Sequence, residues 1–347
     1  MSDAGGDRSG VAVLDEAMRE QFTWYVVAKK EFNDAVRSKG LWALSAVFTL
    51  LFVLPAGRIW WNQRSSDQQL GQQALDIGMQ FFISRFYLDT VTLLVTIVVL
   101  FVGYAAVTKE KESGSLKLLL SLPFTRRDVI VGKVLGRSAV AAVPAAIGFG
   151  LTAVFFALTP FTFKAGVFLW FVLFSLTLVV VIAAIAVSIS GAVSRNLYSL
   201  AGSVFVYVYF NFAWNSLANG VGNLLSNNLG IGGPARWHIV LFLKLFNPMQ
   251  AFKTLTNSVL SERANAAQTA RFGMFRQGET EMQTICADVL KGQPRTVQGM
   301  LGNQTVCQGG GSGVPFYFSD AAVFVYLLAW IAVAAGISYY TFDRVDL

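Results

Sequence analysis

A single histidine, His238, and two cysteines, Cys286 and Cys307, are all that these 347 residues hold of the two side chains best suited to transition metals. That leaves no histidine pair for haem and no histidine–cysteine cluster for zinc. Met79, Met249, Met274, Met282 and Met300 follow no regular spacing, as expected of side chains that fill apolar gaps. Ser188, Ser190, Ser194 and Ser199 lie close together with no histidine near them, so nothing supports nucleophilic catalysis. Charge is scarce as well. Charged residues make up 14% of the chain, against about 25% in soluble domains, while 54% are hydrophobic and the mean hydropathy is +0.54. These values exclude a soluble globular domain.

Two further absences exclude energy sources. A phosphate-cradling loop needs a glycine five residues before a Gly-Lys-Ser or Gly-Lys-Thr ending, but Gly132 and Lys133 are followed by Val134, and Arg127 stands where the first glycine belongs. The chain therefore carries no ATPase motif of its own. Ion-coupled carriers usually keep ionisable groups within their spans, whereas the later apolar runs here are uncharged through their middles.

Those runs dominate the sequence. Residues 40–57 are uncharged and flanked by Trp42 on one side and by Trp60 and Trp61 on the other, as interfacial anchors would be. Residues 90–108, 138–163, 165–194, 196 to about 214, and 321–342 follow, most of them long enough for a bilayer core of about 30 Å. Pro144 and Pro160 are potential kinks. After Trp214, Asn and Gly dominate without charge until Arg236, as in a re-entrant or interfacial segment. The expectation is an all-α polytopic membrane protein. Its parts are an arm (1–39), a six-span domain (40–342) that includes a charged hairpin (109–133) and an extracytoplasmic segment (215–320), and a short tail (343–347). Residues 1–39 also lack the apolar core of a signal peptide.

The net charge of +7 sits at the ends of apolar runs rather than along one polar face, which argues against nucleic acid as a partner. Arg8, Arg19, Lys29, Lys30, Arg37 and Lys39 lie in the arm, and Lys109, Lys111, Lys117, Arg126, Arg127 and Lys133 in the hairpin; the opposite short connections hold only Arg58, Arg64, Arg85 and Lys164. By the positive-inside rule both termini are cytosolic. Cys286 and Cys307 then lie outside, where one disulfide between them is expected rather than two free thiols, and Asn303 opens a glycosylation sequon on the same side.

Leu14, Met18, Phe22, Tyr25, Phe32 and Val36 recur at helical spacing, so the arm reads as an amphipathic helix that lies on the inner membrane face, packs on the protein's own spans, or does both. In the hairpin, Leu116, Leu119 and Leu120 share a helical face that Leu118 and Leu122 widen, and Pro123 ends that helix. Thr125 and Asp128 form a capping box for the next helix, with Phe124 and Val129 as its staple. Arg126 and Arg127 stand in that helix's first turn, where the dipole disfavours cations, so topology, lipid phosphate or a partner carboxylate accounts for them better than helix stability does. A leucine-rich helix of this kind either rests on the bilayer or docks a partner.

The run from Glu110 to Arg137, with Glu112, Gly114, the leucines, Pro123, Arg126, Gly132 and Lys133, resembles the first cytosolic loop of ABC-2-type transporter permeases. Residues 28–39 resemble the arm before their first span, the ending FDRVDL resembles their close, and residues 246–252 resemble the branch containing the nitrous-oxide-reductase accessory permease. The resemblance implies a non-enzymatic permease in the cell membrane with six spans, an amino-terminal connecting helix and a coupling helix between spans two and three. It also implies cytosolic ABC ATPase subunits that carry ATP and Mg, a second permease copy or paralogue, membrane lipid around the spans, and an extracytoplasmic accessory protein as a further partner. Glu110, Glu112, Gly114, Leu116, Leu119, Leu120, Pro123, Arg126 and Arg127 become the candidate ATPase-coupling residues, and Ser203, Tyr207, Tyr209, Asn211 and Asn215 the candidate pathway residues. A membrane anchor or mechanotransmitting subunit that passes no substrate would use the same handle. The cargo stays open.

Overall fold

The computed structural model describes residues 10–64, 72–115, 121, 125–260, 283–299, 302–308 and 315–343. Six helical stretches are long and apolar enough to cross a membrane: Lys39–Asn62, Thr90–Ser113, Arg126–Leu158, Ala165–Ala192, Asn196–Asn228 and Asp320–Thr341, here spans one to six. The chain is an all-α polytopic membrane protein. Among the described residues the exception is a two-stranded antiparallel hairpin, β1 (Gln293–Gly299) with β2 (Gly302–Gln308), which carries Asn303 opposite Gln298.

Several elements extend beyond their uncharged sequence runs. The helix of span three starts at Arg126 behind the expected capping box, in which the Thr125 hydroxyl accepts the Asp128 N–H and the Asp128 carboxylate accepts the Thr125 N–H. Phe124, the other half of the staple, lies outside the described residues. Pro144 sits within that helix and Pro160 beyond its end at Leu158. Span five continues helically past Trp214 to Asn228, through a π-helical turn at Tyr209–Ala213. Helices Gly233–Phe246 and Pro248–Val259 then fold back, the second almost wholly buried against spans four and six. Asn247 makes this reversal: its side chain caps the second helix at Met249 N and donates to the Phe210 carbonyl in the π-helical turn of span five. Trp330 of span six donates to the Phe246 carbonyl, a terminal acceptor of the first helix that would otherwise be orphaned.

The arm is broken. Helix α1 (Gly10–Gln21) and helix α2 (Thr23–Val36) are separated at Phe22, which is extended and exposed. Asp15 ties them together through Tyr25 and Lys29, and those two hydrogen bonds hold its carboxyl below the usual range. Helix α2 packs on span three. The contact face is Trp24, Val27, Ala28 and Glu31 rather than Phe22 and Tyr25, because span three offers Gly132 and Gly136 there: a Cβ at Gly132 would meet Val27 Cβ at 2.6 Å, and one at Gly136 would meet Glu31 Cβ at 2.7 Å.

Contacts sort the ends of the spans into two faces. Glu31 meets Lys133, Glu112 meets Asn196 and Arg127 lies over the Tyr339 ring, so the arm, the hairpin, the turn between spans four and five and the end of span six share one face. The opposite face holds Asp76 bonded to Thr162, Lys253 paired with Asp89, and the disulfide joining Cys286 to Cys307 on β2. Between them lies an aromatic core in which the Tyr87 hydroxyl donates to the Phe52 carbonyl at 2.8 Å and Phe52 packs on Phe149. Closing the Cys286–Cys307 loop contributes roughly 3 kcal/mol in chain-entropy terms. Non-reducing mass spectrometry of native membranes is expected to find the linked peptide; free alkylation of both thiols without reductant would contradict it.

Candidate functional site

The most connected piece of the hairpin face is a helix of six residues, Thr108–Ser113. Its start is fixed by span four, where the Ser190 hydroxyl accepts the N–H groups of Val107 at 3.0 Å and Thr108 at 3.1 Å. Gly114 ends it in the left-handed conformation, φ +74°, which glycine adopts without a Cβ penalty. The expected helix from Lys109 through to Pro123 is therefore interrupted at Gly114. Leu116, Leu119, Leu120 and Pro123 lie outside the described residues.

Three successive charges on this helix reach three different elements. Glu110 turns inward to Lys133 of span three, Oε1 to Nζ 2.7 Å. Lys111 donates to the carbonyls of Gly191 at 2.6 Å and Val193 at 3.0 Å, where a cation complements the carboxyl-terminal end of span four. Glu112 accepts the Asn196 N–H at 2.7 Å and its side-chain amide at 3.1 Å, so a carboxylate complements the amino-terminal end of span five. The expected coupling carboxylates Glu110 and Glu112 thus have partners within this chain. Arg126 and Arg127 are exposed at the start of span three, Arg127 at 5.0 Å from the Tyr339 ring centroid.

Lys133 is the centre of the charge cluster and is wholly buried, at 0% exposure. Its ammonium lies 2.9 Å from Glu31 Oε1 of the arm as well as against Glu110. Arg137, one turn further along span three, reaches Glu31 Oε2 at 2.7 Å and the Val102 carbonyl of span two at 3.3 Å. Burial alone would raise the Glu31 carboxyl, but the charges of Lys133 and Arg137 outweigh it and hold the group below the usual range. A carboxyl depressed on folding adds stability that is complete above its unfolded value, about 4.3, and is lost as pH falls through the lower folded value. A spin label on exposed Asn33→Cys is expected to stay immobile from pH 7 to about 4.5 and to loosen below that. Unchanged mobility down to pH 2.5 would contradict the pairing.

The sequence placed Lys133 among the hairpin's loop charges and did not bring Glu31, Lys133, Glu110 and Arg137 together. A usable signal was present, since Lys133 and Arg137 recur one turn apart at the head of an apolar run, where a buried cation demands a carboxylate.

The five pathway candidates lie along span five. Ser203 is buried, and its hydroxyl has no hydrogen-bond partner among the described residues. Tyr209 packs on Phe205 and Trp214, Asn211 donates back to the Tyr207 carbonyl at 3.1 Å, and Asn215 is exposed. His238 bonds the Tyr317 hydroxyl at 2.8 Å on the opposite face.

Comparison with known sequences agrees with this architecture. The profile of a family described as "ABC-2 family transporter protein" matches residues 25–347. Over 190 residues, 54% of this chain, the sequence is 30% identical to "Probable ABC transporter permease protein NosY" of Stutzerimonas stutzeri and 30% identical to the protein of the same description from Pseudomonas aeruginosa. The match spans 65% and 66% of those relatives, just under two thirds of their length. With nearly the whole chain matched, this protein belongs to the ABC-2 transporter family.

Proposed function

We propose that this chain is the membrane permease of an ATP-driven transporter, paired with an identical or paralogous permease and driven by separate cytosolic ATPase subunits that bind ATP and Mg. The observation that carries the reading is the helix Thr108–Ser113, whose consecutive Glu110, Lys111 and Glu112 grip spans three, four and five. A displacement of the helix Thr108–Ser113 reaches all three spans through these side chains. The excess of Lys and Arg on the face of the arm and hairpin supports a cytosolic location for that face and for both termini, with the Cys286–Cys307 segment outside. Leu119 and Leu120 provide the apolar contact with the ATPase.

A membrane anchor or force-transmitting subunit without cargo is the second reading. It gains support from Tyr209 and Asn211, which are spent on contacts within their own span. The test of docking is Leu119→Asp with Leu120→Asp. Charges forced into an apolar contact cost several kcal/mol, so co-purification of the ATPase and its turnover in reconstituted membranes are expected to fall at least about tenfold while the permease still inserts and folds. Unchanged binding and turnover would contradict the coupling role.

A further inference from the structure

Between the arm, the hairpin and the adjoining ends of spans one, two and three lies a cavity of about 590 Å³, within the range of small-molecule sites. Its lining is both apolar and charged. Leu44, Phe101 and Val140 form an apolar side that belongs to the spans, and Phe101 is 59% exposed there. The rim carries Lys30 and Asp34 from the arm and Lys109 from the hairpin, all exposed.

The charges behind this rim are already matched: Glu31 and Glu110 neutralise Lys133 and Arg137. Among the described residues the side chains of Lys30, Asp34 and Lys109 form no hydrogen bond or salt bridge, although the Lys30 charge also acts on Glu31, which leaves two ammonium groups and one carboxylate lining an amphipathic cavity at the membrane's edge. That set is complementary to a headgroup with one phosphate and one primary ammonium. We infer that the cavity binds a phospholipid with a phosphoethanolamine headgroup. Its phosphate lies between Lys30 and Lys109, its ammonium donates to Asp34, and its glycerol and upper acyl segment lie along Leu44, Phe101 and Val140. A choline headgroup has no N–H to give Asp34, and a glycerol headgroup brings no ammonium to that carboxylate. The inference is independent of the transport reading, because it concerns occupancy and not turnover.

The test is native mass spectrometry of the purified full chain, delipidated and titrated separately with phosphatidylethanolamine, phosphatidylcholine and phosphatidylglycerol. Phosphatidylethanolamine is expected to fill one site at about tenfold lower concentration than the other two, as a charge-assisted hydrogen bond would give. Asp34→Asn should bring phosphatidylethanolamine to the phosphatidylcholine level. Lys30→Gln with Lys109→Gln should weaken all three lipids. Ala105→Phe, which fills the cavity without altering charge, should abolish the site, with thermal unfolding of the variant checking that it folds. Equal binding of the three lipids, a preference for phosphatidylglycerol, or an ethanolamine preference that survives Asp34→Asn would each overturn the inference.

Discussion

Replacing Lys133 with Met is expected to cost about 3–5 kcal/mol of stability, the range for removing one partner of a buried ion pair. Lys133 has no exposed surface and its ammonium serves two carboxylates, Glu31 at 2.9 Å and Glu110 at 2.7 Å. Among the described residues, Glu110, whose other oxygen is buried and without a hydrogen bond, then keeps no salt-bridge partner, while Glu31 keeps its salt bridge to Arg137. The loss therefore comes less from the missing attraction than from the carboxylate left behind. A second variant separates the two. Lys133→Met with Glu110→Gln removes the stranded charge and leaves the Glu31–Arg137 pair intact, so it is expected to recover much of the loss. Thermal unfolding in lipid nanodiscs reads both; a double variant no more stable than Lys133→Met would show that the cluster is not the source.

Gly132→Leu is the second large effect. The added Cβ alone would stand 2.6 Å from Val27 Cβ and 2.7 Å from the Trp24 carbonyl, and the latter is backbone that cannot rotate away. Overpacking of this kind costs about 1–3 kcal/mol, and here the cheapest relief is for α2 to leave span three and draw Glu31 from Lys133. Hydrogen exchange across residues 23–36 is expected to rise in Gly132→Leu. Gly150 in the same span has open space around it, so Gly150→Ala is expected to leave the arm protected and, through helix propensity, to be neutral or slightly stabilising. Equal protection of the arm in both variants would mean that the glycine contact does not hold it.

The spans were legible because a membrane imposes long uncharged runs and gathers charges at their ends, a pattern visible without any tertiary information. The Thr125–Asp128 cap was legible for a similar reason, since its partners lie three residues apart. What escaped was whatever depended on register between distant segments. Glu31 and Lys133 are 102 residues apart, and their meeting follows from the way Gly132 and Gly136 let α2 approach, which periodicity in the arm alone did not convey. The apolar stripe through Phe22 and Tyr25 suggested a different face because it ignored the break at Phe22. The hairpin's leucines favoured one helix from Lys109 to Pro123, whereas Gly114, five residues in, takes a conformation that ends one. Helices Gly233–Phe246 and Pro248–Val259 lay hidden in a stretch read as an outer segment, because burial against spans four and six asks for apolar and small polar residues alike.

In the proposed coupling, the hairpin between spans two and three receives its motion from an ATP-binding subunit. The most direct measurement places a photo-crosslinking amino acid at Leu119 in native membranes and identifies what it captures, with and without ATP. The expected adduct is a cytosolic protein with a nucleotide-binding loop, captured in a yield that changes on adding ATP. Adducts with lipid alone, unchanged by ATP, would mean that the leucine segment rests on the bilayer and would contradict the account.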